Sequence, residues 1–127
     1  MRNLWIVFLL AACTSNLPDT AAMGELAALR LIQYRDGQGN GLIPVARNVG
    51  ATRARLWQRW LHTHQASWQN ETHTKLSGTT KWCAQWQHGE THERVCRREQ
   101  GLIWFGRGVL RDKTALAQAE KIWALKN

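Results

Sequence analysis

The chain is short, rich in tryptophan and strongly basic. Its 127 residues include eight tryptophans and carry a formal net charge of +8 at pH 7. This length suffices for one small domain and excludes an assembly of several domains. The positive charge predicts attraction to polyanions in general, and the tryptophans supply large apolar area from few residues.

The first residues have the organisation of a secretory signal. Arg2 precedes an apolar run from Leu4 to Leu10, which is too short to span a bilayer because a spanning helix needs about 20 residues. The run leads into Leu10-Ala11-Ala12-Cys13, and polar residues follow. A charged start, a short apolar middle and small residues before a cleavage site characterise such a signal. This stretch resembles a bacterial lipoprotein signal peptide that ends in a lipobox.

The resemblance implies a covalent lipid anchor on Cys13 and no other cofactor. In such lipoproteins the chain is cut just before the cysteine, whose thiol receives a diacylglycerol and whose new amine is acylated; several acyl chains make a stable anchor. Lipoproteins retained in the inner membrane typically carry Asp after the cysteine. Here Thr14 follows, so the resemblance implies the periplasmic side of the bacterial outer membrane. Two alternatives remain open: an ordinary signal peptide with an accidental cysteine, and a true start at Met23.

This interpretation divides the chain into a signal peptide (residues 1–12), a short tether (13–19) and a single periplasmic domain (20–127). With Cys13 lipidated, Cys83 and Cys96 are the cysteines that remain. Two thiols in an oxidising compartment predict one disulfide bond.

A helix and a loop are predicted at the start of the domain. Asp19 or Thr20 can cap a helix that runs to about Tyr34. Leu29 and Ile32 lie off its main apolar face, so the helix would be buried on two sides or would meet a partner. Residues 35–41 contain three glycines and predict a flexible loop.

An edge strand and a second helix are predicted next. Residues 42–46 form a short edge strand, because Pro44 lacks a backbone donor. The second helix runs from Val49 to about His64, with Asn48 as its candidate cap.

The firmest structural prediction is a hairpin. Residues 72–76 and 79–87 have strand character, and Gly89-Glu90 fits a two-residue type II′ turn with glycine first. Counting outward from this turn pairs Cys83 with Cys96 at a non-hydrogen-bonded position, where Cα atoms lie about 4.5 Å apart. That separation falls in the range that a disulfide requires. The same register predicts that one face of the hairpin packs in the core and carries Trp82, Ala84, Trp86 and Val95. The other face then carries Gln85, Gln87, His92, Arg94 and the disulfide.

The remaining residues complete the predicted fold. Residues 102–110 form a fourth strand with a bulge near Gly106, and Asp112 or Thr114 caps a closing helix with a clean apolar stripe. The predicted fold is therefore α+β: two N-terminal helices, a four-stranded antiparallel meander with one disulfide-stapled hairpin, and a C-terminal helix.

No catalytic or metal-binding constellation is predicted. The stretch from His88 to His92 departs from the His-Glu-x-x-His zinc signature because Glu90 is displaced and the stretch falls on a turn. No serine lies in a nucleophile elbow, and the two paired cysteines would not be free to act as nucleophiles. An enzyme is accordingly disfavoured.

The second predicted helix carries the first group of candidate binding residues. Arg53 shares its apolar arc with Trp57 and Trp60. In the interpretation that we favour, the stem of Arg53 packs while the charged end reaches solvent. In the sharper alternative, the guanidinium stacks on a tryptophan and faces an acidic partner.

Arginines late in the chain form the second group. Arginine beside tryptophan is enriched at protein hot spots and also suits phosphate or sugar-acid recognition. The alternative is a solvated basic face that covers a tryptophan-rich core. The arginines of this group are Arg94, Arg97, Arg98, Arg107 and Arg111.

The sequence therefore predicts a membrane-anchored, non-catalytic binding factor. Its expected partner is a protein component of an envelope assembly of the secretion or conjugation type, in a pilotin-like role. The first alternative is direct binding of an anionic envelope polymer, peptidoglycan or lipopolysaccharide. The second is an exclusion or immunity lipoprotein against phage, plasmid or toxin. Nucleic acid is disfavoured, since it would require a DNA-transfer machine outside the cytoplasm.

Overall fold

The computed structural model describes residues 26–37, 39, 41–70, 76 and 78–124, which form one antiparallel sheet and two helices. The elements are β1 (Ala27–Asp36), β2 (Leu42–Asn48), α1 (Ala51–Thr63), a 3₁₀ turn (Gln65–Ser67), β3 (Trp82–His88), β4 (Thr91–Arg97), β5 (Leu102–Trp104), β6 (Gly108–Leu110) and α2 (Lys113–Ala124). The six strands lie in the order β2-β1-β3-β4-β5-β6, and every neighbouring pair is antiparallel. Neither helix of the described residues has the length and apolar character needed to cross a membrane.

The predicted fold is wrong in its N-terminal half. Residues 27–34 of the predicted first helix belong to β1, and residues 20–25 lie outside the described residues. Leu29 and Leu31 are buried while Arg30 between them is exposed, which is the period of a strand. The second predicted helix, from Val49 to about His64, is present as α1. In place of the first predicted helix and a four-stranded meander, the structure has a six-stranded sheet with β1 inside it.

The strands of the second half are also differently divided. The predicted fourth strand, residues 102–110, is a hairpin of β5 and β6 whose turn contains Gly106 at φ +78°. Glycine with a positive φ is common both in bulges and in tight turns, and the antiparallel pairing of β5 with β6 shows that this one is a turn. Most of the predicted strand 72–76 lies outside the described residues, and Leu76 is buried without being part of a strand.

The β3–β4 hairpin is confirmed, including its register. His88 pairs with Thr91 and Cys83 pairs with Cys96. Gly89 has φ +59° and Glu90 does not share the positive φ, as a type II′ turn requires. The disulfide Cys83–Cys96 is present, with a Cα–Cα distance of 4.0 Å.

One tryptophan-rich core lies between the sheet and the two helices. All seven tryptophans of the described residues are buried. Trp57 stacks on Trp60 with ring centroids 4.7 Å apart, and it meets the rings of Trp82 and Trp86 edge-on. Trp60 Nε1 donates to the carbonyl of Ala115 at 2.9 Å, which ties α1 to α2. Both helices therefore cover the same face of the sheet, and we call the opposite face the outer face.

Candidate functional site

The edge strand β2 carries most of the exposed apolar surface. All seven of its residues are exposed. Among the described residues the large hydrophobic side chains with high exposure are Leu42 (48%), Ile43 (46%), Val45 (40%) and Phe105 (49%). Three of these four side chains therefore lie on a single strand at the rim of the sheet.

The register shows which face of β2 each side chain occupies. Ile43, Val45 and Arg47 pair with Arg35, Gln33 and Leu31 of β1. Leu31 is fully buried in the core beneath the helices. Since paired residues share a face, this row of β2 lies on the helix side of the sheet, at a rim where its side chains stay exposed.

Pro44 modifies the free edge of β2. The carbonyl of Gly41 accepts a bond from Gly37 N–H, and the carbonyl of Leu29 accepts one from Val49 N–H. Because paired positions alternate in type along an antiparallel ladder, Pro44 falls on a non-hydrogen-bonded pair with Tyr34, and its nitrogen faces away from β1. The short edge strand predicted around Pro44 is confirmed. The edge of β2 that faces away from β1 therefore lacks a backbone N–H donor at its centre.

The other edge of the sheet is closed. Gln69 N–H donates to the carbonyl of Val109 at 2.8 Å, and Val109 N–H donates to the carbonyl of Gln69 at 2.9 Å. This bridge pairs β6 with the segment that follows α1. The two edges of the sheet therefore differ, and the apolar edge is the one formed by β2.

Arg53 is buried without a hydrogen-bond partner. Its exposed fraction is 4%, and neither Nη1 nor Nη2 has an acceptor among the described residues. Burial lowers the pKa of the Arg53 guanidinium from its ordinary value, and the positive charge of Arg47 lowers the pKa further. The favoured interpretation, in which the charged end reaches solvent, does not fit this burial.

Trp57 and Trp60, which were candidate binding residues, lie in the core with 0% and 4% exposure. They position α1 and are covered by the sheet and by α2.

Two of the late arginines form ion pairs with acidic residues. Arg107 makes a two-point contact with the buried carboxylate of Glu93, in which Nη2 lies 3.0 Å from Oε2. Trp104 Nε1 donates to Oε1 of the same carboxylate at 3.1 Å. Arg97 Nε donates to Glu120 Oε1 at 2.8 Å and so links β4 to α2.

The other three late arginines form hydrogen bonds with neutral groups. Arg98 donates to the carbonyl of Gly78 at 3.1 Å, and Arg111 donates to Gln69 Oε1 at 3.2 Å. Arg94 lies on the outer face, where it donates to the Tyr34 hydroxyl at 3.0 Å and lies 5.7 Å from the centroid of the Phe105 ring. The late arginines therefore bind different groups of the chain.

The outer face holds a cleft of ≈ 530 Å³. Arg30, Gln85 and Arg94 form one row across β1, β3 and β4. Next to this row β1 has a bulge, in which Ala28 has a positive φ of 53°. Bulges of this kind re-aim side chains beside functional sites. The residues that line this outer-face cleft are Ala28, Arg30, Gln85, Trp86, Gln87, His92, Glu93 and Arg94.

Sequence reasoning missed Arg30 and the apolar row of β2. It placed Arg30 on a helix, and it identified the edge strand without identifying which of its side chains are exposed. The alternation of Leu29, Arg30 and Leu31 was the available signal for a strand. On its other side β1 pairs with β3, some fifty residues later. No local sequence pattern therefore predicts which side chains lie beside Arg30.

Comparison with known proteins gave no match, whether to a protein-family model, to a curated protein or to a solved structure. Within the described ranges there is no group of three or more His, Cys, Asp or Glu side chains that could hold a metal ion. Cys13 lies outside the described residues.

Proposed function

We propose that this protein is a lipid-anchored component of the bacterial envelope that binds a partner protein and has no catalytic role. The observation that carries the proposal is the exposed apolar surface of β2, where Leu42, Ile43 and Val45 are each 40% exposed or more. Ile43 and Val45 lie on one face of the strand and Leu42 lies on the other. Exposed apolar patches on a small domain are typical of protein interaction sites. Their location at the edge of a sheet is also the commonest place for a strand to meet another chain.

The proposed location rests on two independent features. The sequence around Cys13 resembles a lipobox, and the domain contains a disulfide between Cys83 and Cys96. Stable disulfides form in compartments such as the periplasm and are rare in the cytosol. Together these features support an anchor at the periplasmic side of the outer membrane. A pilotin-like role in a secretion or conjugation assembly is the concrete form of this proposal.

Mass spectrometry of the protein purified from envelopes tests the anchor. We expect a mature chain that starts at Cys13 and carries a diacylglyceryl group and an N-acyl chain, whereas the Cys13→Ser variant should keep its full N-terminal sequence. An intact Met1 without acyl mass on Cys13 would refute the proposed location.

Site-specific photocrosslinking in intact envelopes tests the partner. A photoreactive residue is placed at Ile43, at Phe105, or at Ala117, which is exposed on α2. We expect Ile43 to capture one envelope protein, and we expect the Cys13→Ser background to abolish the capture. A capture pattern that is equal at Ile43 and Ala117 would contradict a specific interface on β2.

The outer-face cleft supports a second candidate function, the binding of an anionic envelope polymer. Arg30 and Arg94 provide guanidinium groups, and Gln85, Gln87 and His92 provide further hydrogen-bonding groups. This combination suits carboxylates and amides of peptidoglycan or phosphates of lipopolysaccharide. Polymer binding should weaken steeply with salt and should fail in an Arg30→Gln variant. Binding to the partner protein through apolar contacts should survive moderate salt.

A further inference from the structure

We propose that β2 recognises the partner protein by strand addition: an extended segment of that protein hydrogen-bonds to the open edge of β2 and places an acidic side chain beside Arg47. The inference rests on the proposed function, because it requires a protein partner. It goes further because it names the backbone groups that bind and the chemistry of the segment that they recognise.

The open edge of β2 is the side of the strand that faces away from β1. β2 is the first strand in the sheet order, and among the described residues it pairs only with β1. The hydrogen bonds from Gly37 N–H to Gly41 and from Val49 N–H to Leu29 fix the alternation of pairs between the two strands. The residues whose backbone N–H and carbonyl groups point away from β1 are therefore Leu42, Pro44, Ala46 and Asn48.

This open edge is a nearly complete template for another strand. Leu42, Ala46 and Asn48 each present a donor and an acceptor, and Pro44 presents an acceptor alone. All four residues are exposed. A row of unpaired backbone groups pairs readily with an extended chain, and the main-chain hydrogen bonds then supply affinity. The strongest part of the template runs from Ala46 to Asn48, where no donor is missing.

The side chains of β2 select an apolar segment that also carries an acidic residue. Ile43 and Val45 are 46% and 40% exposed, and they lie in one row with Arg47, which is also exposed. Paired side chains of neighbouring strands have Cβ atoms about 4.5–5.5 Å apart, so an added strand would place its side chains against this row. β2 contains no acidic residue. A carboxylate opposite Arg47 would therefore meet an accessible cation and no like charge from β2.

Symmetry disfavours a second copy of this chain as the added strand. In a two-fold antiparallel pair of β2 edges, every register that includes Pro44 puts both copies of this proline at hydrogen-bonding positions, so two backbone bonds are lost. A segment without proline loses one. Two copies would also carry a net charge of +8 each. This repulsion opposes self-pairing, whereas an acidic segment is attracted.

Binding of a defined peptide to the full chain, purified with detergent, tests the inference. The probe is a capped peptide with a central run of alternating valine and threonine and with a glutamate at each end. Ala46→Pro removes one outward donor and no hydrogen bond to β1, so we expect it to raise the dissociation constant about fivefold, as for one net hydrogen bond. Pro44→Ala supplies the missing donor and should lower the dissociation constant by a similar factor. It decides the same point without introducing a proline.

Matched controls separate the backbone from the side chains. Ala46→Ser keeps the backbone donor and should change the dissociation constant by less than about twofold. Arg47→Gln should weaken binding of the glutamate peptide several-fold and should not change binding of a peptide with glutamine at both ends. Arg59→Gln, at an exposed position of α1, should affect neither peptide. Equal effects of Ala46→Ser and Ala46→Pro would overturn strand addition, and equal binding of the two peptides to the wild type would overturn the acidic preference.

Amide hydrogen exchange provides a measurement that docking through side chains alone would not change. When the peptide binds, exchange at Ala46 and Asn48 should slow because their N–H groups become hydrogen-bonded. Exchange at Val45, whose N–H faces β1, should stay as it is in the free protein. Unchanged exchange at Ala46 and Asn48 in the peptide complex would refute strand addition.

Three further outcomes separate this inference from the proposed function. If Ile43 captures an envelope protein but Ala46→Pro and Pro44→Ala bind the peptide like the wild type, strand addition is refuted while the proposed function stands. If the peptide binds as expected but no envelope protein is captured from any position, the function is refuted and the edge site stands. A wild-type dimer that forms through β2 and excludes the peptide would identify a second copy as the occupant and refute the inference.

Discussion

Cys83 and Cys96 face each other across β3 and β4 at a pair that makes no backbone hydrogen bonds between its two members, and their disulfide is almost completely buried on the outer face. The position follows from the two-residue turn at Gly89, which sets the alternation of pairs along the hairpin. The disulfide thus fixes a register that the turn had already selected.

Replacing both cysteines by serine should lower the free energy of unfolding by about 2–4 kcal/mol, because the bridge closes a loop of 13 residues in the unfolded chain. Chemical denaturation of both proteins measures the change. In the single variant Cys83→Ser, Cys96 should react with a thiol reagent under denaturing, non-reducing conditions. The wild-type pair should not react there, and reactive thiols in the unreduced wild-type protein would contradict the bond.

Glu93→Gln should destabilise the protein by about 3 kcal/mol, because it removes the charge from a buried carboxylate that forms an ion pair with Arg107. Glu93 is buried and accepts hydrogen bonds from Arg107 and from Trp104 Nε1. The measurement is denaturant unfolding followed by tryptophan fluorescence. Glu90→Gln on the exposed turn is the control and should change stability by less than about 0.5 kcal/mol.

The double variant Glu93→Leu with Arg107→Met should be more stable than Glu93→Gln alone, since apolar side chains then replace both members of the ion pair. An equal loss in the single and double variants would show that packing around Trp104, and not the charge pair, accounts for the stabilisation.

The β3–β4 hairpin could be predicted from sequence because all the information for it is local. A glycine at the first position of the turn and two cysteines at matching distances agree on one register. The C-terminal helix α2 was recognisable for the same reason. Asp112 caps it, with Thr114 N–H donating to Oδ1 at 3.0 Å, and its apolar stripe has the period of a helix.

Strand β1 could not be recognised in this way because both of its faces are covered. Leu31 is buried in the core, and Ile32 next to it is partly covered on the outer face, where it pairs with Cys83. Adjacent apolar residues on opposite faces mimic a helix with an apolar surface on two sides. The pairing that identifies this segment as a strand joins β1 to β3, which lies far along the chain.

The long sequence separation between paired strands also explains why the site was predicted incompletely. Arg53 was identified as a candidate from its place on the apolar side of α1. Its neighbour Arg47 and the apolar row of β2 become recognisable only when β1 is placed in the sheet, since the register of β1 with β2 sets which side chains share a face.

Gly50→Ser should stabilise the protein by about 0.5–1 kcal/mol, because serine can accept a hydrogen bond from the first turn of the helix and also reduces the freedom of the unfolded chain. Gly50 is the N-cap of α1, has φ −69° and ψ 162°, and provides no side-chain cap. A Cβ at this position would meet no atom within 4 Å. Thermal and denaturant unfolding measure the gain.

Gly89→Ser is the matched control, because Gly89 has φ +59°. The same side chain there should cost about 1 kcal/mol or more, since a residue with a Cβ is strained in the left-handed region. Equal effects at the two glycines would contradict this assignment of their backbone roles.

Arg53→Met should raise the free energy of unfolding of the unliganded protein by about 1 kcal/mol or more, because methionine keeps much of the buried volume and removes the charge. The guanidinium that it replaces is buried and has no acceptor among the described residues. Arg59→Met, at an exposed position, should change stability little. A less stable Arg53→Met variant would show that the guanidinium has a stabilising partner in the free protein.

The stability gain of Arg53→Met should not depend on pH in the neutral range. Burial and Arg47 lower the pKa of Arg53 in the folded state, so its charge destabilises the fold at every pH below that pKa. This penalty is relieved only when the pH rises through the lowered pKa. The difference in free energy of unfolding between Arg53→Met and the wild type should therefore stay constant from about pH 5 to about pH 9, as measured by denaturant unfolding at each pH. A difference that follows the titration of a histidine or a carboxyl group would assign the effect to another residue, and the buried cation would then no longer account for it.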